Sequence, residues 1–419
     1  MDERKKLCVI TLGCKANQYD SSALVAYLSE KYILVAPGSE FPADIYLINS
    51  CTVTHRADFE ARQCARKARK WNPEARIILA GCLASNKPGL KDAEFDEVFD
   101  ASQRDALLEY LMGKKPAIEN DIFYHPSGGL QFRSRALVKV QDGCNYRCSY
   151  CIVPYTRGRS RSLAMDLVLN QLNSLSELGF EEASLCGINL GEWGRDIGLE
   201  LSDLLVKISE ARLNLRIRLS SLEPMSINQR LIDTIAESGF ICPHLHLPMQ
   251  SGDNEILKRM KRPYLAQEFL EIAQTLCSKI PALGLGLDVI TGFPGEGEEQ
   301  FKNTLNLLAQ IPFSYLHIFT FSPRHNTPAA RLKPRVPERV SQERARILAE
   351  LNRKRKREFI HRQLGKNVEI VVEDKEGDWV LGRSGNYLVV RVKSRAESRK
   401  RIRVRLKELR DDELIGEEI

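Results

Sequence analysis

Apolar and polar positions along the first 113 residues alternate between short apolar runs and longer amphipathic stretches. The runs Leu7–Leu12, Tyr32–Ala36, Ile45–Ile48 and Ile77–Ala80 predict strands, and Asn17–Lys31, Ala57–Trp71 and Ala106–Met112 predict helices. Strand–helix alternation of this kind predicts an α/β domain with an open parallel sheet. Residues 114–134, with Lys114-Lys-Pro116 and Pro126-Ser-Gly-Gly129, lack a periodic apolar pattern and read as a linker. The alternation then resumes, with strands expected at Ala136–Val140, Glu182–Cys186, Arg216–Leu219, Ile241–Leu247, Leu283–Ile290 and Tyr315–Phe321. Six strands with intervening helices suggest a parallel, partly closed (β/α)6 barrel. A long basic helix is expected over 335–363. Period-2 runs follow at Val368–Val372, Trp379–Leu381, Tyr387–Val392 and Arg401–Leu406, suggesting a small antiparallel β-barrel. The expected domains are 1–125, 130–362 and 363–419.

Composition narrows this picture only slightly. At 419 residues, 43% hydrophobic and 28% charged, the chain is ordinary globular material with ample core. No apolar run approaches the roughly 18 residues that span a membrane. Met1-Asp-Glu-Arg-Lys-Lys leads at once into a strand and does not read as a signal peptide. The eleven cysteines then point to a reducing compartment, where thiols bind metal or do chemistry. The net charge of +7 is modest, but residues 391–410 hold ten Lys/Arg against two Glu, an excess that would attract phosphates, while 411–419 is acidic.

The densest chemistry lies in Cys144-Asn-Tyr-Arg-Cys148-Ser-Tyr-Cys151, three thiols in eight residues after an apolar run. Soft sulfur ligands select zinc or iron–sulfur clusters. Structural zinc wants four ligands, usually as two short pairs, and the chain has a single C-x-x-C. Three thiolates on a four-iron cluster leave one iron open for chemistry. A zinc knuckle with a remote His is the plainer alternative. Cys14, Cys51 and Cys82 each follow a predicted strand by one to three residues. Strand carboxyl ends form the ligand crevice of such sheets, so these three thiols could converge on one metal centre; unrelated loop cysteines are the alternative. Cys64, within a predicted helix, and Cys8, Cys186, Cys242 and Cys277 carry no such signal. His244 and His246 form an H-x-H on a strand and are expected to make hydrogen bonds at its rim.

Cys144, Cys148, Tyr150 and Cys151 together resemble the signature C-x-x-x-C-x-aromatic-C of the radical S-adenosylmethionine (SAM) superfamily. The elements Leu12-Gly-Cys-Lys-Ala-Asn-Gln-Tyr-Asp20, Asn49-Ser-Cys-Thr-Val-Thr54 and Gly81-Cys-Leu look like the N-terminal domain of the methylthiotransferases, with Ser50 where that family's element has threonine. The resemblance implies two [4Fe-4S] clusters, one on Cys14, Cys51 and Cys82 and one on Cys144, Cys148 and Cys151. The second would bind SAM and cleave it to a 5′-deoxyadenosyl radical, with Tyr150 near the adenine. Polar residues at expected strand ends, Asn189, Glu223 and Gln250, would contact SAM or substrate. Tyr155-Thr-Arg157-Gly-Arg159-Ser-Arg161 beside the cluster loop would meet an anion, and Arg401 and Arg403 of a small RNA-binding (TRAM-like) barrel would meet RNA.

Within the family, Cys14-Lys15 and Cys51-Thr-Val-Thr resemble the branch that modifies N6-threonylcarbamoyladenosine beside the tRNA anticodon. The implied partners are a tRNA anticodon stem-loop and a one-electron reductant such as a flavodoxin or ferredoxin, in the cytoplasm and without a membrane. The branch acting on N6-isopentenyladenosine, the branch acting on a ribosomal-protein aspartate, and a non-enzymatic zinc- and RNA-binding protein are the competing expectations.

Overall fold

In a computed structural model the chain is described over residues 4–38, 42–52, 55–86, 94–114 and 134–419. The expected linker lies, but for its ends, outside the described residues, as do Val53 and Thr54. Two compact units follow lines different from the expected domain boundaries. One comprises residues 1–132, 142–161 and 322–330, and the other the remainder.

The first unit is built on a parallel sheet of order β2-β1-β3-β4-β5. Its strands are β1 (Lys6–Thr11), β2 (Ile33–Val35), β3 (Ile45–Ser50), β4 (Arg76–Gly81) and β5 (Glu97–Asp100). Side chains of a strand alternate between faces, and here both faces are covered. Tyr46, Ile48, Ile77 and Leu79 pack with Ala61, Ala65 and Ala68 of α2 (His55–Trp71). Leu47 and Ile78 pack on the opposite side with Leu24 and Leu28 of α1 (Lys15–Leu28) and Leu107, Leu108 and Leu111 of α4 (Arg104–Met112). The alanines at i, i+4 and i+7 let α2 approach closely despite its charged outer face. Two elements escape sequence reading. β5 is only four residues long, and α3 (Cys82–Asn86) is a single turn beginning at a cysteine.

In the second unit, six parallel strands form two three-stranded sheets. One joins β6 (Ala136–Lys139), β9 (Glu182–Cys186) and β10 (Arg216–Leu219). The other joins β11 (His244–Gln250), β12 (Gly284–Thr291) and β13 (Tyr315–Thr320). Two-residue strands, β7 (Gln141–Asp142) and β8 (Arg161–Ser162), bracket the cysteine loop. The basic helix runs over Glu338–His361. Beyond it β14 (Asn367–Glu376), β15 (Trp379–Ser384), β16 (Val389–Lys393), β17 (Arg401–Arg410) and β18 (Glu413–Glu418) close a barrel around Ile370, Val372, Val380, Val390, Val392, Val404 and Leu406. The acidic C-terminus is thus the fifth strand. It pairs antiparallel with β17 and parallel with β16, so the barrel is not wholly antiparallel as expected.

A buried charge network fastens this barrel to the β9–β10 sheet. Glu182 is completely buried and accepts from Arg216 at 2.7 Å and Arg218 at 2.7 Å, with Arg135 at 3.7 Å. Arg218 also donates to the carbonyls of Ser384 and Gly385 at 2.9 and 2.8 Å, so four of its five N–H groups are bonded. Burial by itself would raise the Glu182 carboxyl, but the arginines outweigh it and hold it at about 2.

Candidate metal and cofactor site

The first unit brings three separated cysteines together at the carboxyl ends of adjacent strands. Cys14 follows β1, Cys51 follows β3 and Cys82 opens α3 directly after β4. Gly13 has φ +105°, and a Cβ there would stand 2.5 Å from the Cys51 Cβ, so only glycine permits this approach. Asn17 donates to the carbonyls of Leu12 and Ser50 at 3.0 and 2.9 Å, pinning the Cys14 turn to the Cys51 turn. Asn49 reaches back to the Asn17 carbonyl at 3.0 Å and to Ser21 at 2.9 Å. Ser50 is completely buried and its hydroxyl donates to the Ala80 carbonyl at 2.8 Å, tying the Cys51 turn to the Cys82 strand. Behind Cys51, Thr52 donates to Asp58 at 2.8 Å, and Arg324 donates to both, at 2.6 and 2.7 Å.

The eight-residue cysteine loop belongs to the same unit. Gly143 has φ +76°, and a Cβ on it would lie 2.0 Å from the Arg159 carbonyl oxygen. Cys144 N–H donates to the Gly158 carbonyl at 3.1 Å and Cys151 N–H to the Cys148 carbonyl at 3.1 Å. Ser160 N–H donates to Asn145 at 3.2 Å, closing the loop on itself. Cys148 is buried, while Cys144, Cys151 and Tyr150 are half-buried.

Arg157 joins the two cysteine sets. Its guanidinium donates to Asp142 at 3.0 Å, to Asp20 at 3.0 Å and to Asn17, and its charge acts on the Cys82 thiol. Burial disfavours the Arg157 charge, yet Asp142, Cys82 and Asp20 more than offset this and raise its pKa. Burial pushes the Cys82 thiol up, with Arg157 opposing and Cys14 adding to the rise. Thiolate ligands here would therefore be formed by the metal centre that captures them.

No cysteine pair is joined in a disulfide. Among the described residues, the one group of three His, Cys, Asp or Glu whose ligand atoms lie within 4.8 Å of one another contains no cysteine. Thiolates on one zinc ion at about 2.3 Å would sit about 3.8 Å apart. Three soft thiols in each set fit an iron–sulfur cluster with one iron left without a protein ligand.

In the second unit, the strand carboxyl ends carry the polar rim. Asn189 is 2% exposed, and neither its side-chain oxygen nor its nitrogen has a partner among the described residues. Its backbone N–H is held by Gln141 at 2.8 Å. The buried hydroxyls of Ser220 and Ser226 are also unpartnered. Buried polar groups are normally satisfied, so these orphans are what a polar ligand at the rim would engage. Gln250 ends β11 in the left-handed region at φ +64°, an unusual conformation for a non-glycine residue. The Glu223 carboxylate is held by the buried Arg262.

A model of the Radical SAM superfamily matches residues 138–308, and a model of the Uncharacterized protein family UPF0004 matches residues 6–100. A threonylcarbamoyladenosine tRNA methylthiotransferase MtaB of Aquifex aeolicus is 37% identical over 381 residues, covering 88% of this chain and 92% of that one. The chain belongs to the radical SAM methylthiotransferases. The MtaB of Bacillus subtilis is 34% identical over 91% of this chain and 88% of its own length. A tRNA-2-methylthio-N(6)-dimethylallyladenosine synthase of Pelotomaculum thermopropionicum is 32% identical over 92% of this chain and 91% of its own length. Among solved structures, the radical SAM methyltransferase TsrM of Kitasatospora setae aligns with a TM-score of 0.57 at 13% identity, over 78% of this chain and 77% of that one. That likeness is one of fold.

In this methylthiotransferase the expected anion-binding arginines separate into two kinds. Arg157 is not available to a substrate, because Asp20 and Asp142 neutralise it and its side chain is 6% exposed. Arg159 and Arg161 are exposed and make no ion pair among the described residues. Arg401 is likewise tied internally, to Glu369 at 3.5 Å and Glu181 at 3.9 Å, whereas Arg403 is exposed without such a pair among the described residues. β18 supplies Glu413 to Arg391 and Glu417 to Lys407, so part of the basic excess is cancelled within the barrel. Asn17 and Asp20 lay in the Cys14 motif and could have been singled out there. Arg324 carries no local signal.

Proposed function

We propose that this protein is a tRNA methylthiotransferase that places a methylthio group at C2 of N6-threonylcarbamoyladenosine beside the anticodon. The observation that carries the reading is the joining of two cysteine triads in one compact unit, with Arg157 of the cysteine loop on Asn17 and Asp20 of the helix that follows Cys14. The names of the relatives support the substrate, as do Cys14-Lys15 and the Cys51-Thr-Val-Thr element. Cys14, Cys51 and Cys82 would hold one [4Fe-4S] cluster. Cys144, Cys148 and Cys151 would hold the other, with Tyr150, Asn189 and Gln250 toward SAM. These groups supply radical hydrogen abstraction at an unactivated carbon and the sulfur that replaces the hydrogen.

The chain's own residues orient and enclose. Arg157 fixes the Cys14 side of one triad to the loop of the other through a buried ion pair with Asp20. Gly13 and Gly143 give the close backbone approaches that set the cysteine positions. The unpartnered Asn189 amide offers both a donor and an acceptor to a zwitterionic ligand. We take the two three-stranded parallel sheets as one partial (β/α)6 barrel, residues 1–125 and 130–362 as the sequence domains, and 363–419 as a TRAM-like RNA-binding barrel. Exposed Arg159, Arg161 and Arg403 would meet phosphates of an anticodon stem-loop. A flavodoxin- or ferredoxin-type reductant in the cytoplasm would supply the electron. No helix among the described residues is long and apolar enough to cross a membrane.

Nucleoside mass spectrometry of tRNA from cells lacking and regaining the gene tests this. Loss and return of the 2-methylthio form of threonylcarbamoyladenosine is the expected result. Loss of the isopentenyl derivative instead would reassign the branch, and no change in any nucleoside would remove tRNA as the substrate.

A further inference from the structure

The H-x-H of β11 is not used by either cysteine set, and the structure gives it company that the sequence did not reveal. His246 Nε2 lies 2.7 Å from Asp288 Oδ1 of β12, and His317 Nδ1 of β13 lies 3.2 Å from the same oxygen. The His246 and His317 rings are 4.9 Å apart between centroids. We propose that His246, Asp288 and His317 form a binding site for one divalent transition-metal ion of the zinc type, distinct from the iron–sulfur clusters and with an open coordination position.

Three observations carry this. The three residues come from the interiors of three adjacent strands, where parallel pairing sets Asp288 opposite His317, so their spacing is fixed by the sheet rather than by loops. Two imidazoles and a carboxylate suit zinc-type ions, whereas the thiolates elsewhere suit iron–sulfur clusters. The surrounding groups orient the ligands as metal sites require. Tyr315 places its hydroxyl 3.1 Å from His246 Nδ1 and 2.8 Å from His244 Nε2. It reaches there because Gly286 has no side chain; a Cβ at that position would lie 2.1 Å from the Tyr315 ring. With Nδ1 engaged by the hydroxyl, Nε2 of His246 is directed at Asp288.

Exposure decides the coordination. The His246 side chain is 8% exposed and Asp288 19%, but His317 is 55% exposed. Two ligands are thus held inside and the third stands at the opening, leaving the outer side of an ion to water or to an anionic oxygen of a visiting molecule. Without an ion, the two imidazoles each donate an N–H to one carboxylate oxygen; on binding, each of these nitrogens takes the metal and its proton moves to the other nitrogen of the ring or to solvent.

The test is calorimetric titration of Zn2+ into anaerobic holoenzyme, in which the cluster cysteines are occupied by iron, with iron content measured before and after. The expected result is one Zn2+ per chain with iron unchanged, at least tenfold weaker in His317→Ala. Tyr315→Phe, which removes only the orienting hydroxyl, should weaken binding by roughly ten- to a hundredfold. His317 is 55% exposed, so its removal should lower the zinc-free melting temperature only slightly, and added zinc should raise that temperature in the parent but not in the variant. Absence of zinc uptake, equal uptake by His317→Ala, or uptake accompanied by loss of iron would each overturn the proposal.

Discussion

The two cysteine triads hold the same number of thiols by opposite means. Cys144, Cys148 and Cys151 lie within eight residues, and most of the hydrogen bonds that shape their loop stay between 144 and 160, the Ala329 N–H bond to the Ser149 carbonyl at 2.8 Å coming from outside. Cys14, Cys51 and Cys82 come from three turns separated by more than thirty residues each, and they meet only because β1, β3 and β4 are neighbours in one sheet. The local triad is a property of a loop. The distributed triad is a property of a packed domain, and it inherits every weakness of that packing.

The sharpest separation should come from the cysteines themselves. Cys148→Ala and Cys82→Ala should each abolish methylthiolation and each lower bound iron by about half, from about eight to about four. SAM cleavage to 5′-deoxyadenosine should disappear in Cys148→Ala but persist in Cys82→Ala. Loss of cleavage in both variants would show that the triads do not act separately.

Arg157→Met attacks the link between them. It would leave Asp20, Asp142 and the Cys82 thiol without their buried cation, a change expected to cost about 3–5 kcal/mol in denaturant unfolding of the first unit. Glu182→Gln is the matching change in the second unit, expected to cost a similar few kcal/mol by stranding Arg216 and Arg218, with iron content intact. Because the Glu182 pKa is depressed from 4.5 to about 2 on folding, its contribution is present above about pH 4.5. That stability is lost as pH falls from there toward about 2. An acid-unfolding series should show the loss in the parent protein, and the variant should lack that component.

Gly143→Ala should cost about 1–3 kcal/mol through strain and the clash with Arg159, and should lower cluster occupancy of the loop while sparing the distributed triad. The smallest effect is expected at the barrel surface. Arg403→Ala should weaken tRNA binding slightly and reduce the salt slope by about one, whereas Arg401→Ala should act mainly through its lost pairs with Glu181 and Glu369. Binding isotherms at several salt concentrations distinguish the two.

Much of the α/β alternation was legible because buried parallel strands read as apolar runs and their helices as amphipathic stretches. β9 and β10 have the very bounds that their patterns predict, Glu182–Cys186 and Arg216–Leu219. The errors fall where local pattern is too short or conflicts with charge. β5 and α3 are four and five residues long, below what periodicity can resolve. β18 looked like an acidic tail because its glutamates face outward to Arg391 and Lys407, leaving only Leu414 and Gly416 buried. The same blindness affected the arginines. A guanidinium beside an active-site loop reads as an anion receptor, and no local signal reveals that Asp20, more than a hundred residues away, already occupies Arg157.

The sequence by itself determined the six cysteines, the alternation of strands and helices, and the family to which they belong, because each depends on spacing along the chain. Only the tertiary structure decided which charges are spent internally, which polar atoms stay orphaned, and that His246, Asp288 and His317 meet across three strands. Those are questions of partners remote in sequence, settled by how the sheets bring their side chains within reach.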